Sequence, residues 1–109
     1  MISMAKYPNV AIKFSGAPTL SLRPYPHADI WPHLHKLIDA FGPDRLMWGS
    51  DFTRLRWAPL TLDPGPREGW FLYSDSLNYL RDTDEVSDSD KAAIFAGTIR
   101  RLLRWPETP

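Results

Sequence analysis

Two short apolar segments flank an amphipathic stretch, and this order constrains the fold more than any other feature of the sequence. Residues 10–15 (VAIKFS) and Leu46–Gly49 form nearly continuous apolar runs, which are typical of strands covered on both faces. Between them, apolar residues recur three or four positions apart and predict one face of a helix: Ile30, Leu34, Leu37, Ile38 and Phe41. Strand, helix and strand within roughly 35 residues predict a βαβ unit with parallel strands, and therefore an α/β protein.

Cap residues and breakers set the predicted limits of the helices. Asp29 is the predicted N-cap of the first helix, and Gly42-Pro43 is expected to end it. Ser87 is the predicted N-cap of the last helix. The buried stripe of that last helix is predicted to consist of Phe95, Ile99, Leu102 and Leu103.

The segment between the second strand and the last helix is predicted to be a loop followed by a helix. Residues 52–69 contain three prolines and form a long predicted loop, and loops of this length inside a compact domain are usually functional. The spacing of Trp70, Tyr73, Leu77 and Leu80 then predicts a helix with one apolar face.

The composition limits the classes of function. A chain of 109 residues suits one domain, residues 1–109, and its apolar share of 43% is sufficient for a packed core. Thirteen basic and thirteen acidic side chains balance, so nucleic acid and acidic membranes are not expected partners. There is no cysteine, no apolar run of about 20 residues and no signal-peptide core. We therefore expect a cytoplasmic protein.

Asp51 is the first candidate for chemistry. It follows the second predicted strand, and catalytic groups collect at the carboxyl ends of parallel strands. Gly49 and Ser50 allow the chain to turn there. Asp51 is equally well explained as the cap of a turn or helix, so the residue types alone leave both interpretations open.

Other polar residues are expected near the same edge. Ser15 and Tyr25 are candidate substrate contacts, and His27 lies in a loop that either approaches a substrate or is exposed to solvent. Lys13 lies within the first strand, where it either steers a carboxylate substrate or pairs with an acidic side chain; we favour the structural pairing.

A pair of histidines, His33 and His35, has the His-x-His spacing of a zinc site on a strand. The pair falls in the first predicted helix, where residues two positions apart point to nearly opposite faces. We therefore expect these two histidines to be solvated rather than to bind a metal.

Four motifs in this order resemble those of the amidohydrolase-related family, whose members include lactonases, amidohydrolases and non-oxidative decarboxylases. Tyr7-Pro-Asn-Val with Lys13-Phe-Ser-Gly resembles the seventh barrel strand, Phe41-Gly-Pro-Asp-Arg the link into the eighth, and Trp48-Gly-Ser-Asp the end of the eighth. The segment IFAGTIRRLL, beginning at Ile94, resembles the closing helix. The resemblance implies the C-terminal fragment of a (β/α)8 TIM barrel: the last two parallel strands, their helices and the closing helix.

The resemblance also implies a chemistry. The eighth-strand aspartate, here Asp51, binds a divalent metal (zinc or manganese) and shuttles the proton of the water that attacks a lactone, amide or related carbonyl substrate. The family's His-x-His pair on the first strand and its middle-strand histidines have no counterpart in this sequence. We therefore expect the chain alone to be inactive and not to retain metal. The chain departs from the family's pattern at Thr53, often proline, and at Thr98, usually asparagine.

Three alternatives remain. A decarboxylase can use the same residues as the hydrolase. A second alternative is non-enzymatic: a truncated fragment, or a subunit that self-associates or pairs with a polypeptide that supplies the missing barrel portion, since a full barrel needs about 250 residues. The third is a small binding module.

Overall fold

A computed structural model describes residues 1–53 and 72–107. In chain order, the first part contains a 3-10 helix Ile2–Lys6, strand β1 Ile12–Ser15, 3-10 helices Ala17–Leu20 and Ala28–Ile30, helix α1 Trp31–Phe41, a 3-10 helix Pro43–Arg45 and strand β2 Leu46–Gly49. The second part contains α2 Tyr73–Arg81, α3 Asp88–Ala92, a π-helical segment Ala93–Gly97 and α4 Thr98–Leu102. The mixture of strands and helices confirms the α/β class.

The two strands are parallel and pair directly, as predicted. The register is Ile12 with Leu46, Lys13 with Met47, Phe14 with Trp48 and Ser15 with Gly49. Strand β1 begins later than predicted because Val10 still belongs to a turn, in which its N–H donates to the Tyr7 carbonyl at 3.2 Å.

The two faces of this sheet differ in what covers them. Leu46 is fully buried and Phe14 is 8% exposed, and they lie on the face that packs against helices. On this face, the Trp48 ring contacts Phe95 of the π-helical segment with the ring centroids 5.7 Å apart. Because side chains alternate along a strand, the opposite face carries the remaining registered pairs, Lys13 with Met47 and Ser15 with Gly49.

Helix α1 packs on the core through the predicted stripe. Four of its predicted members are buried, and Ile38 packs partly buried against them. Asp29 is not the N-cap, and this prediction was wrong. The cap position is Ile30 in helical geometry, while the Asp29 carboxylate accepts hydrogen bonds from the Ser21 hydroxyl and, at 2.7 Å, from the Leu22 N–H. The chain therefore enters α1 through a 3-10 turn. The Asp29 carboxylate does not cap the helix and instead binds the preceding loop at Ser21 and Leu22.

Helix α2 differs from the prediction at its first residue, Tyr73, whereas Leu80 is buried as predicted. Tyr73 is 52% exposed, whereas Ser76, Tyr79 and Leu80 are buried. Phe52 and Thr53 are helical rather than part of the predicted loop. The rest of that loop and Trp70 lie outside the described residues.

The last helix is capped as predicted but buries other residues. The Asp90 N–H donates to the Ser87 hydroxyl at 3.2 Å, which confirms the cap. Ile94 and Thr98 are buried, while Phe95 and Ile99 are half-buried. Leu102 and Leu103, predicted to be buried, are exposed by 46% and 59%. The π-helical segment explains the difference, because its wider turn changes the rotation along the helix and so the side on which later residues lie.

No helix within the described ranges, 1–53 and 72–107, has the length and apolar character needed to cross a membrane.

Candidate active site at the carboxyl edge of the sheet

Asp51 lies at the carboxyl edge of the sheet, two positions after β2 ends at Gly49. Its backbone adopts a left-handed conformation with φ of 51°. Aspartate accepts this region more readily than most side chains, so the turn suits the residue that occupies it. The residue is half-buried at this edge.

The carboxylate of Asp51 packs against the backbone of Gly16. A Cβ atom at Gly16 would lie 3.0 Å from Oδ2 and 3.1 Å from Cβ of Asp51. Gly16 itself has a φ of 63°, and its N–H donates to the Gly49 carbonyl at 3.3 Å. The segments that follow the two strands therefore meet at one point, and Asp51 is held there.

Two further polar side chains reach the same part of the sheet. A Cβ atom at Gly49 would lie 3.1 Å from the Ser15 Cβ and 3.3 Å from the Lys13 Nζ, and it would overlap the Lys13 Cε. Ser15 is half-buried and Lys13 is exposed. The structure thus places Ser15 and Lys13 beside Gly49, next to the turn that holds Asp51.

Aromatic contacts connect this edge to α2. The Phe52 ring, next to Asp51, makes an edge-on contact with Tyr73 at 5.9 Å between centroids. One strand residue also reaches α2, since the Trp48 indole N–H donates to the Ser76 carbonyl at 2.9 Å. The beginning of α2 is thereby fixed beside the end of β2.

Tyr25 and His27 occupy a different environment. The Tyr25-Pro26 peptide bond is cis, and the Tyr25 ring contacts His27 edge-on at 6.0 Å. His27 is fully buried, and its Nδ1 lies 2.9 Å from the Arg23 carbonyl oxygen, so the expectation of an exposed loop histidine was wrong. Its φ of 59° and this hydrogen bond turn the side chain inward.

A cavity of about 240 Å³ lies between the Tyr25 loop, α1 and α2. Tyr25, Trp31 and Tyr79 contribute aromatic surface to it, and Asp82 and Glu85 contribute carboxylates. Burial raises the pKa of the Tyr79 phenol above its ordinary range. Asp51 does not line this cavity, so Tyr25 belongs to a site separate from the one at the sheet edge.

The acidic groups of the cavity already have side-chain partners. The Arg81 guanidinium donates to Asp82 at 2.7 Å, and this hydrogen bond holds the pKa of the Asp82 carboxyl below its ordinary value. His35 Nε2 lies 2.7 Å from a Glu85 oxygen and connects α1 to the segment before α3. His33 is exposed on α1. The helical position of both histidines confirms that they do not form a strand-borne pair.

A divalent metal needs more ligands than the edge provides by itself. Catalytic zinc sites use three protein ligands, and no group of three His, Asp or Glu side chains within residues 1–53 and 72–107 could hold an ion. The Asp51 carboxylate is of the right chemical type to be one ligand. The described residues do not complete the set.

Lys13 lies at the same edge of the sheet, and the sequence left two roles open for it. Lys13 was expected to pair with an acid, yet no ion pair among the described residues includes it. The alternation of Lys13 and Ser15 along the strand indicated a shared face. The pairing of Gly49 with Ser15, next to Lys13, could not be predicted, because the register of two strands cannot be read from either strand alone.

Comparisons with known proteins agree with this arrangement. The family model described as "Amidohydrolase" matches residues 1–105. The crystal structure of an amidohydrolase from Burkholderia multivorans with bound zinc is similar to this chain, with a TM-score of 0.64 and 28% sequence identity. The similarity covers 96% of this chain and 35% of that protein, so the chain spans about a third of the length of its solved relative. No curated protein matches. The chain belongs to the amidohydrolase family.

Proposed function

We propose that this chain supplies the catalytic aspartate, Asp51, of a metal-dependent hydrolase that cleaves a lactone, an amide or a related carbonyl substrate. The observation that carries the proposal is the position of Asp51. It lies at the carboxyl edge of a parallel pair, held against Gly16, in a chain whose family match spans residues 1–105.

The fold that goes with this function is the C-terminal part of a (β/α)8 barrel. The direct pairing of β1 with β2 and the crossover through α1 are consistent with two consecutive barrel strands. The coverage of 35% of the Burkholderia protein supports the same interpretation. In this arrangement the face that carries Lys13 and Ser15 points to the barrel interior.

In the proposed reaction, the Asp51 carboxylate accepts a proton from the water that attacks the carbonyl carbon. The resulting carboxylic acid then returns the proton to the leaving oxygen or nitrogen. A divalent ion such as zinc or manganese, when bound, lowers the pKa of water to ~7 and polarises a carbonyl oxygen. Asp51 supplies one ligand in this proposal, and the others come from outside the described residues.

The test begins with the DNA upstream of the Met1 codon. An in-frame extension would be expressed with this chain and assayed against lactones and amides, with release of carbon dioxide as the readout for a decarboxylase. We expect Asp51→Asn, which keeps a side chain suited to the left-handed backbone, to lower the hydrolysis rate by about a hundredfold or more. Asp39→Asn, on the exposed side of α1, is the matched control. Equal activity of the two variants would contradict the proposal.

For the chain alone we expect no hydrolysis and no stoichiometric metal. Elemental analysis of the chain, after incubation with zinc or manganese and dialysis against metal-free buffer, tests this directly. One ion retained per chain, and lost in Asp51→Asn, would mean that the chain binds a metal without ligands from another polypeptide.

A second candidate function is assembly with another polypeptide. Large apolar side chains are exposed at both ends of the described chain, at Ile2, Met4, Leu103 and Trp105. Each strand also has one strand partner among the described residues, and a strand edge that stays unpaired can recruit another strand. A stable complex with a polypeptide carrying the remaining strands, together with the absence of an upstream extension, would favour this function.

A further inference from the structure

We propose that Lys13 is a substrate-binding residue and that the carbonyl substrate carries a carboxylate group, which the Lys13 ammonium binds. The inference rests on the proposed function, because it names the substrate class of the same site. It goes beyond that function by adding a cationic partner to Asp51.

The side chain of Lys13 extends along the sheet toward Gly49. Lys13 pairs with Met47 in the register, yet its Cε and Nζ reach the space next to Gly49, two positions farther along β2. The side chain therefore runs toward the carboxyl edge of the sheet, in the direction of Asp51. Its ammonium lies 3.3 Å from the Cβ position of Gly49.

The second observation is that Gly49 makes this path possible. Any side chain there would overlap the Lys13 Cε. Ser15 lies on the other side of the same space, 3.1 Å from that Cβ position. The absence of a side chain at Gly49 thus leaves the space that the end of the Lys13 side chain occupies, next to Ser15 and two positions before Asp51.

The third observation concerns charge. Within the two described ranges no carboxylate forms an ion pair with Lys13, and Asp51 is not within ion-pair distance of it. An ammonium offers three donors, and its hydrogen bonds to a carboxylate are stronger than those between neutral groups. An anionic substrate would be repelled by Asp51 alone, and Lys13 offsets this repulsion at the same edge.

Three other cations of the described residues lie in other settings. Lys91 donates to the carbonyl oxygens of Arg81 and Thr83, and Arg45 donates to main-chain carbonyls near the N-terminal segment. Lys36 is exposed on α1. Lys13 differs from these three groups because, within residues 1–53 and 72–107, it forms no ion pair and lies on the sheet face next to Gly49, two positions before Asp51.

The test is anion binding, which does not require turnover. The chain, labelled with ¹³C at lysine Cε, is titrated with acetate and with its neutral isostere acetamide at constant ionic strength, and each lysine signal is followed by NMR. We expect acetate to shift the Lys13 signal along a saturable curve, acetamide to leave it unchanged, and Lys36 to show no saturable response. Parallel responses of Lys13 and Lys36 would show only general ionic attraction and would overturn the proposal.

Two variants sharpen the result. Gly49→Ala keeps the lysine charge but blocks its path, and we expect it to weaken acetate binding by about tenfold, the size of one lost charge-assisted hydrogen bond. Lys36→Met is the control and should leave acetate binding unchanged. Unaltered acetate binding in Gly49→Ala would overturn the proposed geometry.

The outcome is separable from that of the proposed function. If Asp51→Asn fails to affect hydrolysis while Lys13 binds acetate, the function is wrong and the anion site stands. If Asp51→Asn abolishes hydrolysis while Lys13→Met leaves the KM for an anionic lactone unchanged, the function stands and the Lys13 inference is wrong.

Discussion

The carboxylate of Asp51 rests against the α-carbon of Gly16, so closely that a methyl group on Gly16 would lie 3.0 Å from Oδ2. Both residues have positive φ angles, 51° at Asp51 and 63° at Gly16. The turns that follow two parallel strands are therefore matched to each other. Gly16, in the turn after β1, has no side chain at the point where the turn after β2 places the Asp51 carboxylate.

Replacement of Gly16 by alanine should destabilise the chain. The new Cβ would crowd Asp51 and would also force an L-residue into the left-handed region, at a combined cost of about 2 kcal/mol. Chemical denaturation followed by circular dichroism measures this change.

Gly97→Ala is the matched control for that substitution. Its Cβ would meet the Ala92 carbonyl oxygen at 3.6 Å, an ordinary contact, and Gly97 lies in helical geometry. We expect Gly97→Ala to be neutral or slightly stabilising. An equal loss of stability in both variants would mean that the Asp51 contact has no special role.

The guanidinium of Arg45 connects the N-terminal segment to the end of α1. It donates to the carbonyl oxygens of Ala5 at 3.1 Å, Tyr7 at 2.9 Å and Phe41 at 2.8 Å. Lysine keeps the charge but lacks the planar fork, so Arg45→Lys should cost about 1–3 kcal/mol of unfolding free energy. Arg100→Lys, at an exposed position, should cost nothing measurable. The same denaturation experiment on both variants compares them, and similar midpoints would refute this role for Arg45.

Local patterns in the sequence predicted much of this fold because they have local causes. The apolar stripe of α1 follows from helical geometry, and the cap at Ser87 follows from the need of the first N–H groups for an acceptor. The parallel pairing of β1 and β2 follows from the length of the crossover between them. These features need no knowledge of the rest of the molecule.

The errors arose where tertiary contacts decide. Asp29 is chemically suited to cap a helix, but Ser21 and Leu22 compete for its carboxylate from across a loop. The stripe of the last helix was predicted for an uninterrupted α-helix, and the π-helical segment changes its phase. At the candidate site, the roles of Asp51 and Ser15 stay predictions, which rest on their positions after and within strands. The orientation of Lys13 depends on the register with Gly49, which no local pattern reveals.

The hydrogen bonds to Asp29 should make stability depend on pH. Burial raises the pKa of Asp29, but the bonds from the Ser21 hydroxyl and the Leu22 N–H outweigh it and lower the net pKa below the ordinary value. A depressed carboxyl pKa stabilises the folded state above the unfolded value of about 3.9, and this contribution disappears as the pH falls through the folded pKa. Ser21→Ala removes one of these bonds, so its loss of stability on acidification should be smaller than that of the unaltered chain.

Urea denaturation between about pH 6 and about pH 2 checks this prediction. Ser74→Ala, at an exposed position on α2, should retain the full pH dependence of the unaltered chain. An identical slope for Ser21→Ala and Ser74→Ala would show that the Ser21 bond does not set the Asp29 pKa.

The isolated chain should self-associate in solution. Strands β1 and β2 each pair on one side among the described residues, and unpaired strand edges recruit other strands. Exposed apolar side chains add to this tendency, among them Leu22 at 72% and Trp105 at 63% exposure. Light scattering at increasing protein concentration should therefore give a mass that rises above that of one chain, and Trp105→Ser should lower the association. A species that stays monomeric and melts cooperatively would mean instead that the chain folds as an independent domain. That result would contradict the proposal that the chain is part of a larger barrel.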